Sequence, residues 1–218
     1  MWVGRHVPKR LVQRARTALG IVELGSWMTE KGYAPRVLRT DFDLFAYLAN
    51  RVTGSAVLYL EFGVFEGRSI RWWSEHISSP SARFVGFDSF EGLPEDWTGD
   101  YTKGAFATSG PPMISDPRVS FEIGLFDKTL EGYSPPQHDQ LVINIDCDLY
   151  SAARCALEGI AKWLRPGTLI YFDEFAHPDH EQLALRQFIA TSGVNLVPLA
   201  YAGAGAHWVF EVTSVPES

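Results

Sequence analysis

Carboxylate side chains follow several short apolar runs of the sequence, within a residue or two of the point where each run ends. They are Glu61, Asp88, Asp146, Asp148, Asp173 and Glu174. If the runs are parallel strands, these ends meet at the edge of the sheet where such sheets bind ligands. Carboxylates converging from neighbouring strands suit Mg²⁺ or a similar cation, which relieves their mutual repulsion. The alternative is that Asp148 caps a helix beginning near Ser151 and that Glu174 is merely exposed.

The stretch Glu61-Phe-Gly63-Val-Phe-Glu-Gly67 has the composition of a strand-to-helix turn. Gly63 allows a tight turn, and Gly67 lets a helix begin close to the strand and to a ligand. The G-x-G-x-x-G pattern that holds a dinucleotide pyrophosphate is missing, so a ligand with a carboxylate or amino end fits better. Asp88, at the end of the next run, is placed to accept hydrogen bonds from ribose hydroxyls. A generic α/β turn with an acidic helix cap is the alternative.

Histidine and cysteine give weaker signals. His177 and His180 follow the last acidic pair closely and are candidates for a base or for metal ligands, although an isolated histidine is more often a surface residue. Cys147 and Cys155 fit no zinc spacing and are too few for a disulfide framework. This cysteine usage favours a reducing compartment, and we expect the cytoplasm.

The elements that must position these residues alternate between strand and helix. Apolar, β-branched runs predict strands at 57–62, 83–88, 119–123, 141–145, 168–172, 194–200 and 207–212. Amphipathic spacing predicts helices at 39–52, 67–77, 127–133, 151–164 and 178–191. The alternation predicts an α/β fold with a Rossmann-like, doubly wound, mostly parallel seven-stranded sheet. About six residues separate the last two strands, too few for a parallel crossover, so they predict a C-terminal antiparallel hairpin.

Charge is distributed unevenly along the 218 residues, whose formal net charge is −7. Residues 1–51 carry nine Lys and Arg against four Asp and Glu, whereas the remainder carries ten against twenty-two. An acidic body disfavours nucleic acid as a partner, and no apolar stretch is long enough to span a membrane. The basic start is either a solvated helix face or a contact for an acidic partner, a membrane surface or a second subunit. We expect a homo-oligomer, taken as a dimer.

The same patterns suggest how the chain is divided. We expect an N-terminal basic helical segment over residues 1–54 and one catalytic domain over 55–218. Residues 89–116 are rich in Gly and Pro without periodicity, and a loop of that length in a compact domain is often a lid. Trp97, Tyr101 and Phe106 in this loop predict a lid that closes over a ligand.

Four stretches resemble the macrocin O-methyltransferase family, whose S-adenosylmethionine-dependent enzymes methylate sugar hydroxyls of macrolide and aminocoumarin antibiotics. A related mycobacterial branch acts on methylmannose polysaccharide precursors. The stretches are Tyr59–Ser69, Gly86–Pro94, Ile145–Ser151 and Tyr171–Phe175, in the order of the family. The resemblance covers about residues 55–175 and implies a class I methyltransferase fold that binds S-adenosylmethionine.

The resemblance also implies roles for individual residues. By this resemblance, Glu61, Gly63 and Ser69 would surround the methionine portion of the cofactor. Asp88 and Ser89 would bind its ribose, and Gly124 and Phe126 would lie near its adenine. The family's magnesium ligands fall on Asp146, Asp173 and Glu174, and Asp148 falls where some members carry the general base. The sequence departs from the family in having Asp173-Glu174 where Asp-Asp is frequent. It also has Leu149 where other members carry a histidine, which adds weight to Asp148 as the base.

The sequence therefore predicts a Mg²⁺-dependent O-methyltransferase that moves a methyl group from S-adenosylmethionine to a hydroxyl of a sugar or saccharide. A catechol or phenol acceptor is the nearest alternative. A nicotinamide-dependent oxidoreductase is disfavoured by the missing G-x-G-x-x-G and by the lack of an obvious Tyr-x-x-x-Lys pair. A non-catalytic scaffold is disfavoured because it has no reason to keep like charges together.

Overall fold

A computed structural model describes residues 8–97 and 101–216. In chain order the elements are α1 (Lys9–Lys31), β1 (Arg36–Val37), α2 (Asp41–Ala49), β2 (Val57–Phe62), α3 (Arg68–His76), β3 (Arg83–Asp88), β4 (Val119–Ile123), α4 (Phe126–Gly132), β5 (Gln140–Ile145), α5 (Tyr150–Ile160), β6 (Leu169–Phe172), α6 (Glu181–Ser192), β7 (Asn195–Ala202) and β8 (His207–Ser214). The predicted segment 1–54 and the predicted lid 89–116 thus include residues outside the described ranges, 1–7 and 98–100.

The strands form one eight-stranded sheet in the order β1-β7-β8-β6-β5-β2-β3-β4. Neighbouring strands are parallel except β8, which runs antiparallel to both β6 and β7. The α/β architecture, the seven predicted strands and the antiparallel hairpin are confirmed. The eighth strand, β1, has two residues, which is too short to show a period-2 pattern in a sequence. In the described part of the chain, no helix is long and apolar enough to cross a membrane.

The central strands are buried on both faces, which explains why their sequences read as continuous apolar runs. Every residue of β2 is buried. Leu60 on this strand belongs to one apolar cluster with Leu157 of α5. Tyr59 belongs to the opposite cluster, together with Phe45 of α2 and Trp73 of α3. Because helices cover both faces, the carboxyl edge of the sheet is the natural place for a ligand to enter.

Helix α1 packs against the segment that follows β6. Gly20 lies so close to this segment that a β-carbon added there would stand 2.2 Å from the carbonyl oxygen of Ala176. Nearby, Arg16 forms an ion pair with Asp179, at 2.7 Å between nitrogen and oxygen. Part of the positive charge of the N-terminal segment is therefore matched by an acid of the same chain.

Two glycines of α1 give a matched test of this packing. We expect Gly20→Ala to destabilise the protein by about 1–3 kcal/mol, because the added methyl group meets a backbone carbonyl that has no flexible end. We expect Gly25→Ala to stabilise it by about 0.5–1 kcal/mol, because alanine is the better helix former and nothing lies within 4 Å of the added methyl group. Denaturant unfolding measures both free energies. Stabilisation by both substitutions would show that α1 does not pack against Ala176.

Candidate active site

A cavity of about 760 Å³ opens at the carboxyl ends of the parallel strands. Its walls come from the segments that follow β2, β3, β4, β5 and β6. Ligands of open α/β sheets bind at this edge. The volume lies within the range of small-molecule sites, about 300–1,000 Å³, so the cavity is the candidate active site.

Most of the residues predicted from the sequence line this cavity. They are Gly63, Ser69, Asp88, Ser89, Gly124, Phe126, Asp146, Asp148, Asp173 and Glu174. The two other predicted residues, Glu61 and Gly67, are not part of the lining. The structure therefore gathers residues from five separate segments into one site and places two of the predicted residues behind its wall.

The turn after β2 lies directly against the backbone of the first acidic residue after β5. Gly63 has a φ of 89°, in the left-handed region that favours glycine. A β-carbon at this residue would stand 1.8 Å from the carbonyl oxygen of Asp146. The backbone N–H of Asp146 in turn donates to the carbonyl of Phe62 at 2.9 Å. Glycine at residue 63 is therefore required for the two sides of the cavity to meet.

Asp88 fixes two loops at one end of the cavity. Its Oδ2 accepts hydrogen bonds from the backbone N–H groups of Val64 at 2.8 Å and Phe65 at 3.0 Å. Its Oδ1 accepts from the N–H of Phe90 at 2.8 Å. The sequence pattern did not predict this structural role. Since Asp88 also lines the cavity, its contact with ribose hydroxyls stays a prediction.

Glu61 supports the same wall from behind. Its carboxylate accepts a hydrogen bond from the Tyr59 hydroxyl and lies 3.4 Å from Nδ2 of Asn144. Burial outweighs these bonds and raises the pKa of Glu61 to about 8. Gly67 directly precedes α3 and contacts the loop that follows β3. Both residues therefore hold the turn in place without reaching the cavity.

Four carboxylates line the cavity where β5 and β6 end, and we call this part the acid end: Asp146, Asp148, Asp173 and Glu174. Burial raises the pKa of Asp146 well above its ordinary value, and the charges of Asp173 and Asp148 raise it further. Burial, then the charges of Glu174 and Asp173, raise the pKa of Asp148 to about 7. Burial, then the charge of Asp173, also raise the pKa of Glu174. Three members of this cluster are thus held in a setting that disfavours their anions.

Asp148 adopts an unusual backbone conformation at the cavity wall. Its φ is 63°, which costs a residue with a β-carbon roughly 1–2 kcal/mol. Helix α5 begins at Tyr150 without a hydrogen bond from any capping side chain. Asp148 therefore does not cap this helix, which was the alternative to a role in the site. Strain of this kind is concentrated at functional sites.

Asp173 is the acid whose charge is balanced. Its Oδ1 accepts a hydrogen bond from the Tyr171 hydroxyl at 2.7 Å and lies 2.9 Å from Nδ1 of His207. Burial opposes ionisation, but the bonds from His207 and Tyr171 outweigh it and lower the pKa of Asp173. Burial likewise opposes the charged form of His207, and its bond to Asp173 reverses the balance and raises its pKa. The pair is therefore stable in its charged form.

His207 was not identified from the sequence. It is the first residue of β8, and residues at the start of a strand normally lie far from the carboxyl edge of a parallel sheet. Because β8 is antiparallel to β6, its start reaches the edge where the acids lie. The predicted hairpin was the one signal that pointed to this residue.

The two histidines that the sequence singled out lie beside the cavity and do not line it. Nε2 of His177 lies 2.8 Å from Oε1 of Gln13 in α1. His180 packs against His177 and against Trp97, with ring centroids 4.5 and 6.1 Å apart. Burial and the neighbouring His177 lower the pKa of His180 to about 4. Their positions favour a packing role over the base or metal-ligand role that the sequence left open.

Aromatic side chains surround the open side of the cavity. Four of them line it and contact one another: Phe65, Trp97, Tyr101 and Phe106. Three belong to the loop predicted as a lid. Glu95 of the same loop accepts a hydrogen bond from Ser151 of α5 at 2.6 Å. The loop is therefore tied to the acid end of the site.

Arg68 is a residue of the cavity wall that the sequence did not reveal, and Asp41 is its ion-pair partner. Arg68 lines the cavity at the start of α3. Its guanidinium forms an ion pair of 2.6 Å with Asp41 of α2 and lies over the ring of Phe42. A lone arginine after a glycine turn has no distinctive spacing in a sequence. Its partner Asp41 lies in the N-terminal segment 1–54, which was predicted to be separate from the catalytic domain.

Across residues 8–97 and 101–216, no group of three or more His, Cys, Asp or Glu side chains is placed to hold a metal ion. The donor chemistry of the acid end nevertheless fits a hard dication, because its carboxylate oxygens share one wall and repel one another.

Comparison with known proteins places this architecture. CalS11, a calicheamicin methyltransferase, superimposes with a TM-score of 0.60 at 22% identity, covering 95% of this chain and 94% of that chain. The O-methyltransferase NovP gives 0.55 at 19% identity, covering 77% and 75%. CmcI, solved with Mg and SAM, gives 0.56 at 14% identity, covering 80% and 72%. These similarities confirm the class I methyltransferase fold.

Sequence comparison gives the family. No curated protein sequence matches the chain. A family model described as a methyltransferase domain matches residues 60–175, which include the turn after β2 and all four carboxylates of the acid end. The matched stretch is more than half of the chain, and the chain belongs to this methyltransferase domain family.

Proposed function

We propose that this protein is a Mg²⁺-dependent O-methyltransferase that transfers the methyl group of S-adenosylmethionine to a hydroxyl of a sugar or saccharide. The observation that carries the proposal is a single cavity lined by two unlike sets of residues. One set is the Gly63 turn with Asp88, and the other is the four carboxylates. Membership of the methyltransferase family favours this function over the nicotinamide-dependent and scaffold alternatives.

The structural neighbours support a sugar acceptor and these cofactors. CalS11 is described as a TDP-rhamnose 3'-O-methyltransferase, and CmcI was solved with Mg and SAM. The macrocin-type resemblance of the sequence points to the same class of acceptor. We extend these properties to this chain as a proposal, because identities of this size establish the fold alone.

The cofactor is proposed to lie between the Gly63 turn and Phe126, where it supplies an activated methyl group. Gly63 and Ser69 would contact its methionine portion, with Glu61 and Gly67 supporting the turn from behind. Asp88 and Ser89 would face the ribose. Gly124 and Phe126, which line the cavity at the start of α4, would lie beside the adenine.

The acid end is proposed to hold the ion and to receive the acceptor. Asp146, Asp173 and Glu174 are the proposed ligands of Mg²⁺, which when bound supplies positive charge that lowers the pKa of an acceptor hydroxyl. Asp173 keeps one oxygen engaged by Tyr171 and His207, so its other oxygen is the one that can bind.

Asp148 is the proposed general base. Its place on the cavity wall, its left-handed backbone and its freedom from helix capping support this role. It would accept the proton of the acceptor hydroxyl while the new oxygen–carbon bond forms and the sulfur–carbon bond breaks. The remaining residues contribute by alignment, which lowers such a barrier by up to roughly 7–11 kcal/mol in well-oriented systems.

The cluster of Phe65, Trp97, Tyr101 and Phe106 would contact the acceptor. Such rings stack on the apolar face of a sugar and equally on a catechol ring, so a phenolic acceptor stays the alternative within methyl transfer. The division of the chain at residues 54 and 55, a dimeric state and a cytoplasmic location also stay predictions.

Ligand binding and activity test the function directly. We expect S-adenosylhomocysteine to bind with micromolar affinity in calorimetry and NADH not to bind. With S-adenosylmethionine, nucleotide sugars and glycosides should be methylated in the presence of Mg²⁺, and chelation should abolish the activity. Absence of S-adenosylhomocysteine binding would refute the class, and full activity after verified metal removal would refute the metal role. Methylation of catechol alone would establish the phenolic alternative.

Two variants should separate the ends of the cavity. Asp146→Asn removes a proposed metal ligand, so metal-dependent turnover should fall by about 10–100-fold or more, with S-adenosylhomocysteine affinity nearly unchanged. Asp88→Asn replaces one acceptor oxygen by an NH₂ group facing backbone N–H groups. The affinity for S-adenosylhomocysteine should therefore weaken by about 1–3 kcal/mol. Calorimetry and initial rates measure both. Wild-type turnover in Asp146→Asn would show that the metal site is wrongly assigned.

Burial of Glu61 predicts a pH dependence of stability. Its pKa is 4.5 in a free side chain and about 8 here, so its contribution to stability is complete below about pH 4.5 and is lost as the pH rises to about 8. Tyr59 on the same strand, Asp88 at the end of β3 and Asp146 after β5 are the titratable groups around it. Glu61→Gln carries no charge and can still accept the Tyr59 hydrogen bond.

We therefore expect Glu61→Gln to raise the thermal midpoint relative to wild type at pH 8 and to change it much less at pH 5. Thermal unfolding at the two pH values measures the difference. An equal shift at both pH values would contradict the buried ionisation of Glu61.

A further inference from the structure

One buried carboxylate, Glu181, contacts the backbone of both acidic segments of the site. Its Oε1 accepts a hydrogen bond from the peptide N–H of Cys147 at 3.4 Å, and its Oε2 accepts from the N–H of Glu174 at 3.2 Å. Cys147 stands in the first acidic segment, 146–148, and Glu174 in the second, 173–174. The two oxygens of one side chain therefore connect the segments that carry all four carboxylates of the cavity.

Glu181 cannot act on a ligand directly. It is the first residue of α6, its exposed fraction is 0%, and it is not among the residues that line the cavity. Neither the sequence pattern nor the proposed reaction gives it a role. The hydrogen bonds that Glu181 accepts from the backbone therefore explain why a carboxylate is buried here.

A carboxylate at this position is electrostatically unfavourable. Its side chain is fully buried, and a buried carboxylate loses its solvation by water. An apolar residue of similar size would avoid this cost, but it would leave two peptide N–H groups without an acceptor. The N-terminus of α6 offsets part of the cost, because the first turn of a helix favours negative charge. The bonds to the two N–H groups thus account for the carboxylate.

The sheet does not hold the two segments together beyond the strand ends. The N–H of Asp173 donates to the carbonyl of Ile145 at 3.1 Å. Beyond this bond the segment after β5 continues into α5, and the segment after β6 continues into the loop that leads to α6. We infer that Glu181 is a positioning residue that sets the separation of segments 146–148 and 173–174. The consequence for catalysis rests on the proposed function, whereas the link itself does not.

Amide hydrogen exchange in the protein without added ligands tests the link. Glu181→Gln keeps the size of the side chain but has one acceptor oxygen, so it can accept from only one of the two N–H groups. We expect the amide of Cys147, of Glu174 or of both to exchange at least about 10-fold faster than in wild type. Glu158→Gln is the control, because Glu158 is exposed on α5 and pairs with Arg154; it should leave both amides unchanged.

Kinetics test the consequence. In Glu181→Gln we expect kcat for the acceptor to fall by about 10–100-fold, as for other residues that orient metal-binding groups, with S-adenosylhomocysteine affinity within about threefold of wild type. A purely structural defect would lower folded yield and weaken S-adenosylhomocysteine binding together. Faster exchange without any methyl transfer by the wild-type protein would refute the proposed function and leave the link standing.

A second variant covers the case in which glutamine prevents folding. Glu181→Asp keeps the charge, but its shorter side chain reaches at most one of the two N–H groups, so the same faster exchange is expected. Wild-type exchange at both amides in either folded variant would overturn the inference.

Discussion

The close approach of Gly63 to the carbonyl of Asp146 is the constraint on which the site depends. Strands β2 and β5 are neighbours in register up to Phe62 and Ile145, and the absence of a β-carbon at the next residue lets the two chains stay together as they leave the sheet. A side chain at residue 63 would push the turn after β2 away from the acids. The Gly63 turn and the acids could then no longer line one cavity.

The second property of the site is its excess of negative charge. His207 neutralises Asp173, and Arg68 adds a cation on the cavity wall. The remaining carboxylates lie among one another, and burial shifts them toward their neutral forms. A protein tolerates such an arrangement where a bound cation relieves it. The distribution of charge is thus the feature on which the proposed metal site rests.

The sequence predicted those parts of the fold whose signals are local. Buried parallel strands such as β2 and β5 are continuous apolar runs, and the acids that follow them were visible for the same reason. Helix α6 begins three residues later than the predicted Pro178, because the intervening segment packs against α1. The bonds of Asp88 to the loop backbone could not be predicted, since they depend on turn geometry. His207 and Glu181 act through partners far away in the chain, so neither has a recognisable local pattern.

The reversed direction of β8 affects the order in which the site is completed during synthesis. His207 is translated after every other strand of the sheet is made, and β1, one of the earliest elements, pairs with β7. A nascent chain that lacks β7 and β8 holds its acids without the compensating histidine and exposes the edge of β6, a surface prone to pairing with other chains. The acid end therefore acquires its histidine last, and a chain truncated before β7 has neither the charge balance nor the complete sheet of the full chain.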